Sequence, residues 1–162
     1  MIVTPRLELI VLDRAYLASV PRPDRGFVDP AGFLAGADDV VRLRLAQIDA
    51  NPEVAPWLLR AIVVRETRVA VGFVTFHAAP DPRGMVEIGY EVLPAFRRNG
   101  YAREAASAAI AWAARHGARV VRACVSPDNL ASLALLARDG FVQVGEQLDE
   151  IDGRELVFEK AP

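Results

Sequence analysis

The sequence predicts a mixed α/β fold in a single domain covering residues 1–162. Strand-like and helix-like patterns interleave along the chain in the order β α α β β β α β α β β. No linker, repeat or low-complexity tract interrupts that order. At 162 residues and 52% hydrophobic content the chain is long enough to bury one real core.

Each element has its own warrant. Residues 6–12 alternate around Leu7, Leu9 and Val11, which predicts a first strand. Asp13 can cap a short helix running to about Val20. Residues 21–36 mix Pro, Gly and Asp with Phe27, Phe33 and Leu34, and are expected as a loop with at most a helical turn. Residues 37–50 carry Val40, Val41, Leu43, Leu45 and Ile48 among charges, a helix that Asn51-Pro52 stops. Residues 57–64 are apolar and β-branched. With residues 69–77, across a turn at 65–67, they form a hairpin. Residues 78–84 hold two prolines, Asp81 and Gly84, and form a loop. In the strand at 85–92, Val86, Ile88, Tyr90 and Val92 take the core face. Met85, Glu87, Gly89 and Glu91 take the opposite, open face. Residues 101–116 are alanine-rich at helical spacing and end at His116-Gly117. A strand at 120–125, a helix at 129–138, and a hairpin of 141–147 with 155–160 around Asp152-Gly153 complete the chain.

Composition excludes several classes. The net charge of −2 gives no general attraction to nucleic acid or membrane. The lone Cys124 rules out an intrachain disulfide and a cysteine zinc cluster; its strand pattern places it in the core. The opening residues contain no apolar run long enough for a signal peptide or a membrane span, so a cytoplasmic protein is expected.

The stretch Pro94-Ala95-Phe96-Arg97-Arg98-Asn99-Gly100-Tyr101-Ala102 lies between a strand and a long helix. A helix start offers free N–H groups and a positive dipole end, which suit phosphate. Gly100 lets backbone approach a ligand, Ala102 is small, and Arg97 and Arg98 add charge. No Walker Lys-Ser/Thr follows, which argues against a nucleotide triphosphatase. Arg97-x-x-Gly100-x-Ala102 resembles the acyl-CoA pyrophosphate loop of the GNAT superfamily of N-acetyltransferases. The flanking residues 87–94, Asn129 to Ser132, and Asp139-Gly140-Phe141 resemble the branch containing the ribosomal-protein N-terminal acetyltransferases. Thr4 to Leu7 and Ala55-Pro56-Trp57 are similar to it as well. The resemblance implies a GNAT fold, a mixed central sheet whose fourth and fifth strands splay apart around the thioester of acetyl-CoA.

By that resemblance, N–H groups of Arg98, Asn99, Gly100, Tyr101 and Ala102 bind the pyrophosphate, with Arg97 and Arg98 adding charge. Main chain at Val92 and Leu93 binds the pantetheine arm, and Asn129 bonds its amide, besides capping a helix. Acetyl transfer needs an uncharged amine, so a carboxylate must take a proton. Glu87 is the first candidate, Glu91 the second and His77 the third. A tyrosine acid often found in the helix after Asn129 is replaced here by Leu136, which leaves Ser132 to meet the sulfur. The expected reaction is direct transfer from acetyl-CoA to a primary amine, either a protein N-terminus or a small molecule, with no metal. A homodimer through the final strands is a family-level expectation. The competing readings are a silent CoA-binding regulatory module and a plain interaction domain. Tyr90 and Trp112 are assigned to the core.

Overall fold

The computed structural model describes residues 1–19, 22–149 and 153–162. Eight strands form one sheet in the spatial order β1-β2-β3-β4-β5-β6-β8-β7. The strands are β1 (Ile2–Val3), β2 (Leu7–Val11), β3 (Arg60–Val64), β4 (Val69–Phe76), β5 (Met85–Val92), β6 (Val120–Val125), β7 (Val142–Asp149) and β8 (Gly153–Lys160). The helices are α1 (Arg14–Ala18), α2 (Asp38–Ala50), α3 (Tyr101–Arg115) and α4 (Leu130–Arg138). All neighbours are antiparallel except β5 and β6. That one parallel pair is joined through α3, as a parallel connection requires. β1 is a two-residue strand too short to leave an alternating pattern, so the expected fourth and fifth strands are β5 and β6 here.

The sheet buries both faces. On one, Leu7, Leu9, Ile62, Val71, Val74, Phe76, Val86 and Ile88 pack against α3. Ala105, Ala106, Ala109, Ile110 and Ala113 supply the helix side; their small side chains let α3 lie close to the sheet. On the other face Ala61, Val63, Ala70 and Phe73 pack against α1 and α2. Asp13 caps α1 by accepting from the Tyr16 N–H at 3.0 Å. Residues 22–36 are fastened to this face rather than loose. Val28 bridges Val69, at the end of β4 away from His77, while Phe33 and Leu34 are buried.

The largest departure from the expected boundaries lies before β3. Residues Pro52–Trp57 form a 3₁₀ helix, and β3 begins at Arg60. Asn51 accepts from the Glu53 N–H, and the prolines at 52 and 56 hold the backbone out of a strand. Trp57 therefore packs edge-to-face with Phe76 and Trp112 instead of joining the sheet. Arg60, inside an otherwise apolar strand, is buried over the Trp112 ring, with burial pulling its pKa down to about 10. Asp152 of the expected turn lies outside the described residues; the strands that it joins pair from Val142–Glu159 to Asp149–Gly153. No helix among the described residues is long and apolar enough to cross a membrane.

Candidate active site

The site forms where β5 and β6 part. They pair at Met85–Val120, Val86–Val121 and Glu87–Arg122. Beyond these pairs β5 continues to Val92 and β6 to Val125 without bonding to each other, so backbone groups on both are left for a ligand. Two cavities occupy the opening. The smaller, about 280 Å³, lies between Ile88, Gly89 and Tyr90 on β5 and Ala123, Cys124 and Val125 on β6. The larger, about 960 Å³, runs outward between the start of α3 and α4. Tyr90, Asn129 and Ser132 line both.

The loop before α3 is built for an anion. Arg98 and Gly100 have φ of 63° and 79°, left-handed conformations that turn the chain sharply into the helix. The first bond within α3 runs from the Glu104 N–H to the Gly100 carbonyl at 3.1 Å, so the N–H groups of Tyr101, Ala102 and Arg103 have no acceptor inside the helix. Arg97, Arg98, Arg103 and Arg138 all line the larger cavity. Arg97 also donates from Nε to the Val92 carbonyl at 2.8 Å, locking the end of β5 to the loop. A cradle of this size, with free N–H groups and four guanidinium groups, fits the long polyanionic tail of an acyl-CoA.

Two expected binding residues stand off the cavity wall. The Leu93 N–H donates to the Val71 carbonyl at 2.9 Å, and its carbonyl accepts from the Phe96 N–H at 2.9 Å, so the sheet and turn already use its main chain. The Asn99 side chain donates to the Phe96 and Arg97 carbonyls and shapes the loop from within. Val92, Gly100, Tyr101, Ala102, Arg97, Arg98 and Asn129 reach the wall. Asn129 also caps α4, accepting from the Ser132 N–H at 3.1 Å.

Glu87 stands at the apex, on the face opposite α3. His77 Nδ1 is 3.2 Å from its Oε1. The His77 carbonyl is held by Gln47 Nε2 at 2.8 Å and by buried Arg44 at 3.2 Å. Desolvation lowers the His77 pKa, with Glu87 opposing. Cys124 is not in the core. It shares the Glu87 face of the sheet and lines the smaller cavity. Burial, then the charge of Glu87 and a hydrogen bond to it, pushes its thiol up to about 12, which keeps it protonated and unreactive.

A family model described as an acetyltransferase (GNAT) domain matches residues 29–142. The chain belongs to the GNAT acetyltransferase family. Two Bacillus subtilis relatives are N-acetyltransferases of uncharacterised role. YjdG is 28% identical over 150 residues, covering 86% of this chain and 88% of the relative. YoaA is 37% identical over 82 residues, covering 50% of this chain and 46% of the relative, so the match spans about half of its length. Among solved structures, an acetyl transferase from Salmonella typhimurium that modifies the N-terminal serine of the 50S ribosomal subunit protein L7/L12 superposes with a TM-score of 0.68. It is 14% identical, over 98% of this chain and 96% of that one, and it shares the fold.

Several residues that line or brace this cradle were not singled out from sequence. Arg103 and Arg138 line the cradle from α3 and α4. Arg138 is on the same helix face as Ala131, Ala134 and Leu135, which also line the cavity, a spacing that could have flagged it. Thr4 and Arg6 grip the loop from the other end of the chain. Thr4 Oγ1 donates to Glu104 at 2.6 Å, Arg6 Nε to Glu104 at 2.7 Å, and Arg6 Nη1 to the Asn99 carbonyl at 2.9 Å. Burial opposes ionisation of Glu104. The Thr4 hydroxyl, the Arg6 N–H and the Arg6 guanidinium together outweigh it and hold the carboxyl below its ordinary 4.5. A depressed carboxylate stabilises the fold above its ordinary pKa and loses that contribution as pH falls through its folded value. Arg6→Ala is therefore expected to cost on the order of 1 kcal/mol at pH 7. Denaturant melts should show less difference between variant and wild type at low pH, where Glu104 is protonated in both.

Proposed function

We propose that this GNAT protein, acting as one catalytic domain, transfers an acetyl group from acetyl-CoA to a primary amine by direct attack. The observation that supports the reading is the β5–β6 opening: an arginine-lined helix start stands at its outer end, and the Glu87–Arg122 pair closes it, with Glu87 behind the smaller cavity beside Cys124. Arg97, Arg98 and the N–H groups from Gly100 onward hold the pyrophosphate. Main chain at Val92, with Asn129, holds the pantetheine arm. Glu87, beside His77, takes the proton from the amine, and Ser132 meets the departing sulfur. Holding both reactants in one opening supplies much of the rate. The acceptor is a protein N-terminus or a small amine. The former is favoured by the fold shared with the L7/L12-modifying enzyme. With acetyl-CoA as donor, the cytoplasm is the compartment that suits the reaction.

The test measures CoA thiol release with four acceptors: a serine-led peptide, an alanine-led peptide, a polyamine and an aminoglycoside. Glu87→Gln should lower turnover at neutral pH by roughly 10²–10⁴-fold, with acetyl-CoA affinity unchanged. Full activity in that variant would remove Glu87 as the base. Tight acetyl-CoA binding with no thiol release from any acceptor would favour the silent CoA-binding module.

A further inference from the structure

Tyr90 sits on the α3 face of β5 with Val86, Ile88 and Val92, the position of a core residue. Its hydroxyl does not fit that role. The oxygen is buried and makes no hydrogen bond of ordinary length, with the Ser132 side chain as a polar neighbour just beyond that reach. A buried hydroxyl left unpaired is costly, and phenylalanine would fill the same space without the penalty. The ring lines both cavities at their junction, together with Asn129 and Ser132. Burial pushes the phenol up, the Ser132 hydroxyl acts on it in the opposite direction, and Asp139 adds to the upward push. The group therefore stays O–H across the working range and has Ser132 as its polar neighbour. The Ser132 N–H is already committed to the Asn129 cap, while no partner is assigned to its hydroxyl among the described residues.

We propose that Tyr90 is a positioning residue for the departing thiolate: its phenol, unpaired in the free protein, closes onto Ser132 Oγ when CoA is in place and thereby turns the serine O–H onto the sulfur at the junction of the two cavities. The inference rests on the acetyl-CoA reading above. The phenol and the serine keep their protons throughout. As the amine nitrogen bonds to the acetyl carbon, the C–S bond breaks. The sulfur leaves as thiolate, accepts a hydrogen bond from Ser132, and takes its proton from water. Leu136, where a tyrosine acid could otherwise stand, is fully buried and contributes nothing to the sulfur.

A site that hydrogen-bonds a thiolate binds CoA more tightly as its thiol ionises in alkaline solution. The other groups around the junction do not mimic this. Cys124 is held up at about 12, and Glu155, Glu91 and Asp139 carry carboxyl groups, not thiols. The experiment is calorimetric titration of the full chain with CoA and with desulfo-CoA at pH 7 and pH 9.5. Wild type should tighten for CoA by about tenfold relative to desulfo-CoA. Tyr90→Phe should lose that gain to within about twofold while its Tm holds or rises, because an unpaired hydroxyl has gone. Ser132→Ala should lose the gain too, and the double variant no more than Ser132→Ala alone, because the two act as one unit. A Tyr90→Phe protein that keeps the wild-type pH dependence overturns the proposal, as does a wild type with none. A lowered Tm with unchanged pH dependence assigns the hydroxyl to structure instead. Failure of wild type to bind either CoA or acetyl-CoA is a different result, which removes the acetyl-CoA reading itself.

Discussion

Gly100→Glu is expected to abolish the rise in Tm that acetyl-CoA produces. In wild type, ligand at about a hundredfold over its dissociation constant stabilises by roughly 2.7 kcal/mol, which for a chain of this size is about 5–10 °C. Two independent effects remove it. Gly100 sits at φ 79°, where a side chain is strained by about 1–2 kcal/mol. Its absent Cβ would also stand 3.3 Å from Arg6 Nη2, the guanidinium that holds the Asn99 carbonyl and Glu104. A new carboxylate at this point then competes with phosphate for the free N–H groups at the head of α3 and for Arg97 and Arg98. The apo Tm should fall by only a few degrees, since the strain is local and the substituted side chain is near solvent. Differential scanning fluorimetry with acetyl-CoA, CoA and ATP reads both effects at once. A variant that still shifts like wild type with CoA would place the anion site away from Gly100. A Gly100→Ala control carries the backbone strain without the charge, and separates the two effects.

What could be read from sequence here was local. Residues 94–102 announce themselves because the turn, the glycine and the helix start are contiguous, and the chemistry of a helix N-terminus needs no distant partner. The two faces of β5 were legible for the same reason: alternation along eight residues places Glu87 opposite Val86 and Ile88. What escaped depended on contacts between distant parts of the chain. Thr4 and Arg6 reach Glu104 across about a hundred positions. No pattern around either end encodes the meeting. Cys124 looked like core because β6 is apolar, yet once β5 and β6 part its side of the strand opens onto the smaller cavity beside Glu87. Tyr90 was correctly placed on the core face, but alternation says nothing of whether a hydroxyl finds a partner. Leu93 was assigned to the cofactor by resemblance, and the fold had already spent its main-chain hydrogen bonds on the sheet and the turn. Trp57 read as strand by composition, and two prolines decided otherwise.

Gly72→Ala is expected to be among the most damaging single-methyl changes in this chain. Gly72 lies in the middle of β4 and is buried. A Cβ added there would stand 2.0 Å from the Glu91 carbonyl oxygen, and 2.9 Å from both the Glu91 carbonyl carbon and Val92 Cα. All three are backbone atoms, so no rotamer change relieves the clash; the end of β5 must move. That end is tied at both sides. Gly72 pairs with Val92, the Leu93 N–H bonds the Val71 carbonyl, and Arg97 Nε bonds the Val92 carbonyl. On the other side, β4 carries a bulge at Val71, the residue skipped between the pairs Ile62–Gly72 and Val63–Ala70, so the strand is already bent next to Gly72. Overpacking of a fixed core typically costs about 1–3 kcal/mol, and a clash against backbone alone belongs at or above the top of that range. For a chain of this size that is a fall in Tm of roughly 6–12 °C. The same displacement pushes the Val92 main chain, and with it the Arg97 side chain, out of line with the β5–β6 opening. Acetyl-CoA affinity should therefore fall together with stability, unlike in Tyr90→Phe, where the two separate. Calorimetric titration below the variant's Tm distinguishes the cases. If Gly72→Ala melts like wild type and binds acetyl-CoA normally, β5 can shift without consequence, and the close crossing of Gly72 by Glu91 does not set the geometry of the pantetheine channel.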